Sequence, residues 1–412
     1  MSASCPGWLQ TAIRSHEHIQ EVLWVLNKRE RKRQRARTAS RPKFTGPIAR
    51  RRNPAAPSVA DAVRFIAQTE AHASQDAIPE YSISVSLRPE NFAANRYPDI
   101  HPFDRTRVIV DGPIIERRPR EEGRYINASW VRERYGGNWW IASQAPLPTT
   151  AHTFLSILLQ TDIRPPKSLC IDNADLGRVR TVVQLTLSQE DGRIKAHSYF
   201  PDEIGQTDIV LPSSSDGPIT PLKITLVDRD IIENARCIRS LLHVSYYDPR
   251  QSRTDGRSDD GVIFQHLLYT AWPDHGVPSP GDKASLLRFI RLVGRANRDR
   301  SFQPPDNHPD PPIIVGCSAG IGRTGAFITL SSLLRAYGLM DLEGVRPGQV
   351  VSRHAFTPLP LPPSPLGPLP PEWDDDEVAQ EIDSLREQRP GMVQRSDQVL
   401  LVYELLQDAF TG

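Results

Sequence analysis

The segment from Ile313 to Gly325, Ile-Ile-Val-Gly-Cys-Ser-Ala-Gly-Ile-Gly-Arg-Thr-Gly, constrains the fold more than any other stretch of this chain. Ile313, Ile314 and Val315 make a short β-branched run that reads as a buried strand. A tight loop follows, with five residues between Cys317 and Arg323 and two of them, Gly320 and Gly322, free to curl. Residues 324–337 have the composition of a helix. Strand, glycine turn and helix N-terminus in that order aim successive backbone amides inward, and such amides bind anions. A cysteine at the centre of that field is stabilised as its thiolate, the nucleophilic form. The arginine supplies a planar fork that matches two phosphate oxygens. This loop suits displacement of a phosphoryl group, with Cys317, Arg323 and Thr324 as its expected catalytic residues. Ser318, Ala319, Gly320, Ile321 and Gly322 are expected to hold the substrate anion.

A cysteine and an arginine fall at this spacing readily by chance; the strand before and the helix after give it meaning. The loop resembles, position by position, the signature of the phosphotyrosine-specific protein phosphatases, a cysteine-dependent family. One position departs: that family usually has histidine before the cysteine, where this chain has Gly316. Trp272-Pro273-Asp274-His275-Gly276-Val277-Pro278, with Asp274 placed 43 residues before Cys317, resembles the family's acid loop. A plain turn has similar composition. The resemblance implies that Asp274 protonates the leaving phenolate and then serves as base for the hydrolytic water. Trp272 would anchor a loop that closes over the site.

Upstream, Asn95-Arg96-Tyr97-Pro98-Asp99-Ile100 resembles the family's recognition loop. Tyr97 is then expected to stack on the substrate ring and Asp99 to accept hydrogen bonds from the substrate backbone. Arg389-Pro390-Gly391-Met392-Val393-Gln394-Arg395-Ser396-Asp397-Gln398 resembles the glutamine loop, which implies that Gln394 orients the attacking water and Gln398 assists. Glu190 and Lys195 match a hairpin whose lysine reaches the acid loop; a solvated cross-strand pair is the plainer alternative.

Composition bounds the rest. A hydrophobic content of 38%, below the ~45–50% of a compact domain, and 38 prolines point to attached segments outside the core. The four cysteines, Cys5, Cys170, Cys237 and Cys317, follow neither a paired nor a metal-binding spacing, so reduced thiols, no metal and no cofactor are expected. No apolar run approaches the ~18 residues of a membrane span, and the reading is a cytoplasmic protein, with nuclear entry open. Residues 1–58 read as an amphipathic helix with a basic end and a linker, and residues 59–412 as the catalytic domain. Seven of the ten residues from Lys28 to Arg37 are Lys or Arg. They are taken as solvated charges at the exposed end of a helix that packs on the catalytic domain, with nuclear targeting as the rival and binding to nucleic acid or lipid as the least favoured reading. The run at about 355–376, Thr-Pro-Leu-Pro-Leu-Pro-Pro-Ser-Pro onward, reads as an extended, solvated polyproline insertion that could dock a polyproline-binding partner. A further helix is expected around Val63, Phe65 and Ile66.

The fold expected from the resemblance is α/β, a highly twisted mixed β-sheet flanked by helices. Strands are placed near 125–130, 138–143, 181–187, 220–227, 239–246, 263–270 and 312–316. The partners implied are phosphotyrosine-containing proteins. Two rivals remain: a relative that captures phosphotyrosine without turnover, and a phosphatase for inositol lipids or phosphoserine. Gly316 is expected to leave the Cys317 thiolate less favoured than a histidine would, and Gly316→His to favour it further.

Overall fold

The computed structural model describes residues 5–39, 77–110, 123–161, 163–166, 169, 176–213, 219–247, 261–274, 276–301, 308–340 and 361–411. The helix expected around Val63 to Ile66, residues 250–260 and the first part of the proline run lie outside them.

Among the described residues nine strands form one mixed, twisted sheet: β1 (Arg107–Val110), β2 (Arg124–Arg132), β3 (Trp139–Gln144), β4 (Thr181–Gln184), β7 (Thr207–Val210), β8 (Leu222–Ile232), β9 (Cys237–Tyr246), β10 (Val262–Tyr269) and β11 (Ile313–Cys317). A separate hairpin pairs β5 (Gln189–Glu190) with β6 (Arg193–Ile194). The sheet order is β1-β2-β3-β11-β4-β10-β9-β8-β7. At its centre β3, β11, β4 and β10 run parallel, while the pairings outside them are antiparallel. All seven expected strands are present; β1 and β7, short edge strands, are additional.

Parallel strands are buried on both faces, and alternation along β11 shows it. Ile313 and Val315 join one apolar cluster and Ile314 the other. The first cluster takes in α4 (Lys283–Arg298), α5 (Gly322–Ala336), α6 (Glu377–Gln388) and α7 (Ser396–Thr411); the second takes in α3 (Ala151–Leu159). Because the central strands end together, the loops after β3, β4, β10 and β11 meet at one edge, where open α/β sheets bind ligands.

The N-terminal segment forms α1 (Gly7–Arg14) and α2 (His16–Ala39), and Leu9, Val22 and Leu26 enter the first cluster. On α2 the buried positions Val22, Leu26, Arg29, Arg33 and Ala36 recur every three or four residues, the spacing of one helix face. The basic stretch is therefore not uniformly solvated. Lys28, Arg31, Lys32 and Arg35 are exposed, but Arg29 and Arg33 point inward. Arg33 donates to Asp383 (2.5 Å) and Glu387 (2.7 Å), and Arg29 pairs with Asp383 at 3.0 Å. The helical period decides this: two guanidinium groups on the apolar face must be paired, because an unpaired buried charge costs too much.

The described part of the proline run is likewise docked rather than solvated. It turns at Ser364–Gly367, where the Gly367 amide donates to the Ser364 carbonyl and Gly367 takes φ +74°. Arg29 donates to the Gly367 (2.7 Å) and Pro368 (3.2 Å) carbonyls, Ser364 donates to Glu387 (2.7 Å), and Leu369 and Trp373 are buried. Carbonyls that prolines leave without amide partners become acceptors for an arginine.

Candidate active site

Cys317 closes β11, and α5 begins at Gly322, so strand, loop and helix follow the expected order. The loop's shape follows from what holds its outer side. The Ala145 amide donates to the Cys317 and Ser318 carbonyls (3.0 and 3.1 Å). Arg389 donates to the Ala319 (3.1 Å) and Gly320 (2.7 Å) carbonyls. In a trans peptide the carbonyl and the next amide point opposite ways. Four carbonyls bound outside therefore send the amides of Ser318, Ala319, Gly320 and Ile321 inward. Gly320 has φ +70°, and a side chain there would meet the Ser143 carbonyl oxygen at 2.2 Å, so the position admits only glycine.

Cys317 is 6% exposed. Burial alone would push its thiol up, but the Arg323 charge, the Thr324 hydroxyl and amide, and the Ile321 amide outweigh it and hold the pKa below the ordinary value. Burial works against the Arg323 charge too; hydrogen bonds donated to Glu190 and the charges of Cys317, Glu190 and Asp274 more than offset it. Both oxygens of Glu190 take the guanidinium (2.7 Å each), and the Leu185 carbonyl takes a further bond at 3.0 Å. Glu190 is fixed in turn by the Thr186 hydroxyl (2.9 Å) and the Leu187 amide (3.1 Å).

The acid loop lies over this site. Asp274 Oδ1 accepts from Arg323 at 3.1 Å, and Oδ2 pairs with the Lys195 ammonium. The hairpin lysine thus contacts the acid, and Glu190 and Lys195 are two buried groups of the site, not a solvated pair. Trp272 is buried and its indole donates to the Gly276 carbonyl (3.1 Å), which ties the two ends of the acid loop together.

The recognition loop is clamped to the end of β3. Gln144 accepts from the Arg96 amide (2.9 Å) and donates to the Ala94 carbonyl (2.8 Å), while Arg96 donates to the Ala145 and Pro146 carbonyls. The Ser318 hydroxyl donates to the Lys195 carbonyl (2.8 Å), so it accepts from the Tyr97 hydroxyl at 2.7 Å. Tyr97 therefore borders the loop after β11, and Asp99 is exposed beside it.

The two glutamines separate. Gln398 is buried, and a side chain at Gly322 would stand 3.0 Å from its amide, which places it against the loop after β11. Gln394 is exposed. Val393, between Met392 and Gln394, has φ +52°, a left-handed conformation that costs a β-branched residue roughly 1–3 kcal/mol. Gly316 also differs from the expectation. A side chain there would put its first carbon 2.6 Å from the Ser143 carbonyl oxygen on β3, so Gly316→His collides with the sheet before its charge can act. Sequence reading passed over Arg389, Gln144 and Arg96, whose acceptors are mostly carbonyls that only the fold brings near.

A family model described as protein-tyrosine phosphatase matches residues 91–342. The chain is 32% identical over 262 residues to the phosphatidylinositol phosphatase PTPRQ of Homo sapiens, covering 62% of this chain and 9% of that protein. It is 33% identical over 253 residues to the receptor-type tyrosine-protein phosphatase H of Homo sapiens, covering 61% and 18%. With the tyrosine-protein phosphatase non-receptor type 9 of Homo sapiens it shares 29% over 279 residues, covering 67% and 40%. The chain thus spans less than half the length of these relatives. A solved structure described as the structural basis of the PTPN18 fingerprint on distinct HER2 tyrosine phosphorylation sites superposes with TM-score 0.54 at 21% identity, over 86% of this chain and 95% of that one.

Proposed function

The chain belongs to the protein-tyrosine phosphatase family, and from that premise we propose that it hydrolyses phosphotyrosine in signalling proteins through a phosphate ester on Cys317. One observation carries the reading most: a buried cysteine with lowered pKa lies among four inward amides and an arginine whose other side an acid on a separate loop occupies.

In the first step Cys317 Sγ attacks phosphorus, the bond from phosphorus to the tyrosine oxygen breaks, and Asp274 gives that oxygen its proton. The inward amides of residues 318–321 and the Arg323 fork bind the equatorial oxygens as charge redistributes. In the second step a water positioned by Gln394, with Gln398 assisting, attacks phosphorus, its proton passes to Asp274 and the S–P bond breaks. Tyr97 and Asp99 are assigned to the substrate ring and backbone.

The catalytic unit proposed is residues 59–412, with the N-terminal helices docked on it. Among the described residues no helix is long and apolar enough to cross a membrane. Cytoplasmic residence, with nuclear entry through exposed Lys28, Arg31, Lys32 and Arg35, belongs to the same proposal. A polyproline-binding partner would have to compete with Arg29 and Glu387 for residues 364–368.

Hydrolysis of a phosphotyrosine peptide by wild type, Cys317→Ser and Asp274→Ala tests this. Cys317→Ser should bind the peptide without turnover, and Asp274→Ala should be slower by roughly 10²–10⁴-fold. Turnover by Cys317→Ser at the wild-type rate rejects the nucleophile. Because one relative is named as a phosphatidylinositol phosphatase, an inositol phospholipid belongs in the same assay, and a preference for it rejects the assignment of Tyr97.

A further inference from the structure

Arg386 lies on α6 at 3% exposure, and its guanidinium is spent on three backbone carbonyls. Nε donates to Met392 (2.8 Å), Nη2 to Val393 (2.8 Å) and Nη1 to Leu26 in α2 (3.0 Å). Two of these acceptors belong to the loop that ends in Gln394. The third is on a helix 360 residues away in the chain.

Val393 shows why that loop needs fixing. A β-branched residue at φ +52° persists only where its surroundings over-determine it. One side of the clamp is the phosphate-binding loop and its helix. The Val393 amide donates to the Ile321 carbonyl (3.2 Å), and Gly325 lets the backbones approach so closely that a side chain there would stand 2.3 Å from the Val393 nitrogen. The other side is Arg386. Gln394 follows directly, so its place is set through the backbone of residue 393. Arg389, one turn further along, grips the phosphate-binding loop instead. The end of α6 therefore supplies one arginine to each of two loops.

We propose that Arg386 is a positioning residue for the second chemical step: with α2 as its third anchor, it holds the backbone that presents Gln394 to the attacking water. This rests on the reading that Gln394 orients that water. In the step concerned, the water oxygen forms the new bond to phosphorus, its proton goes to Asp274, and the S–P electron pair returns to Cys317. Arg386 takes no part in forming the intermediate, so the two steps should respond differently to its loss.

The test uses the full chain, an aryl phosphate and rapid mixing, and reads the first turnover, the steady state and the share of phosphate passed to an added diol. In Arg386→Met the first turnover should stay within about 2-fold of wild type while the steady state falls by about 10- to 100-fold, the scale of an ångström of misplacement. The diol share should rise, because a displaced Gln394 no longer selects water. Arg386→Lys keeps a donor to some of the carbonyls and should recover part of the steady-state rate. Equal losses in both phases, or an unchanged diol share, overturn the proposal. Should Arg386→Met fail to fold, Arg386→Lys carries the test, and a wild-type steady state and diol share in that variant overturn it. A wild type that never carries phosphate on Cys317 overturns the underlying mechanism as well; phosphate on Cys317 with hydrolysis indifferent to both variants overturns this proposal alone.

Discussion

Two buried arginine–carboxylate clusters, one around Arg323 and one around Arg33, use the same groups to opposite ends. Glu190 fixes one edge of Arg323, and the other edge meets Asp274, which sits on a loop of its own. Arg33 is shared by Asp383 and Glu387, and both of those are committed further, Asp383 to Arg29 and Glu387 to Tyr81, Arg105 and Ser364. A buried cation is available to a ligand when one of its partners sits on a segment that can move aside. With each of its carboxylate partners held by a further arginine, the same cation is a staple between α2, α6 and the proline run.

Removing each arginine should break the comparison cleanly if it is right. Arg33→Met leaves two buried carboxylates short of a cation, and losing one member of such a pair costs about 3–5 kcal/mol. Denaturant unfolding should show that loss, while kcat/KM of the folded variant stays close to wild type. Arg323→Lys should do the reverse. An ammonium cannot hold Glu190 and phosphate through one planar fork, and kcat/KM should fall by about 10²–10³, the effect of losing a transition-state donor. A stability loss at Arg323→Lys as large as that at Arg33→Met would erase the distinction.

The comparison also separates what sequence could disclose from what it could not. The loop after β11 and the loop around Asp274 each hold their candidate groups within a few residues, so Cys317, Arg323 and Asp274 were legible as candidates, and the fold brings them together. Arg33 was legible in principle, since Val22, Leu26, Arg29, Arg33 and Ala36 share a helix face, but the density of charge suggested solvent. Arg386 and Arg389 were not legible as anchors, because a carbonyl acceptor leaves no trace in residue type. The edge strands β1 and β7, four residues each, were too short for alternation to mark. The glutamine pair was legible as a motif only; which member is buried against Gly322 depends on the left-handed turn at Val393.

Gly316 sharpens the same point at smaller scale. The sequence suggested an electrostatic role for what is missing there, whereas the fold shows a steric one. Gly316→Ala adds a single carbon 2.6 Å from the Ser143 carbonyl oxygen, so β3 and β11 must part slightly. Overpacking of this kind costs about 1–3 kcal/mol, and thermal unfolding should report it. Alkylation of Cys317 against pH should shift less in this variant than the stability does. A Gly316→Ala protein as stable as wild type would mean that the strands have room and would restore the electrostatic account.

A pH dependence separates carboxylates with an arginine from those without one. Burial pushes Asp383 up, but Arg33 and Arg29 outweigh it and hold Asp383 below its ordinary pKa. Glu381, equally buried on α6, has only neutral donors, the Arg134 and Tyr135 amides and the Ser332 hydroxyl, and burial pushes it up to about 8 with Glu133 adding to the shift. The two therefore act with opposite sign. Asp383 binds its proton less readily folded than unfolded, so its contribution is lost as pH falls below the ordinary carboxylate value. Glu381 retains its proton in the fold when the unfolded chain has released it, so stability declines as pH rises from about 4.5 through about 8. Glu381→Gln, which stays neutral, should flatten that decline, and unfolding midpoints at about pH 5 and about pH 8 measure it. The difference between the two midpoints should shrink in the variant while the acid-side loss governed by Asp383 is unchanged. An identical difference in both proteins would show that Glu381 is ionised across this range and that three neutral donors suffice to hold a buried carboxylate without a cation.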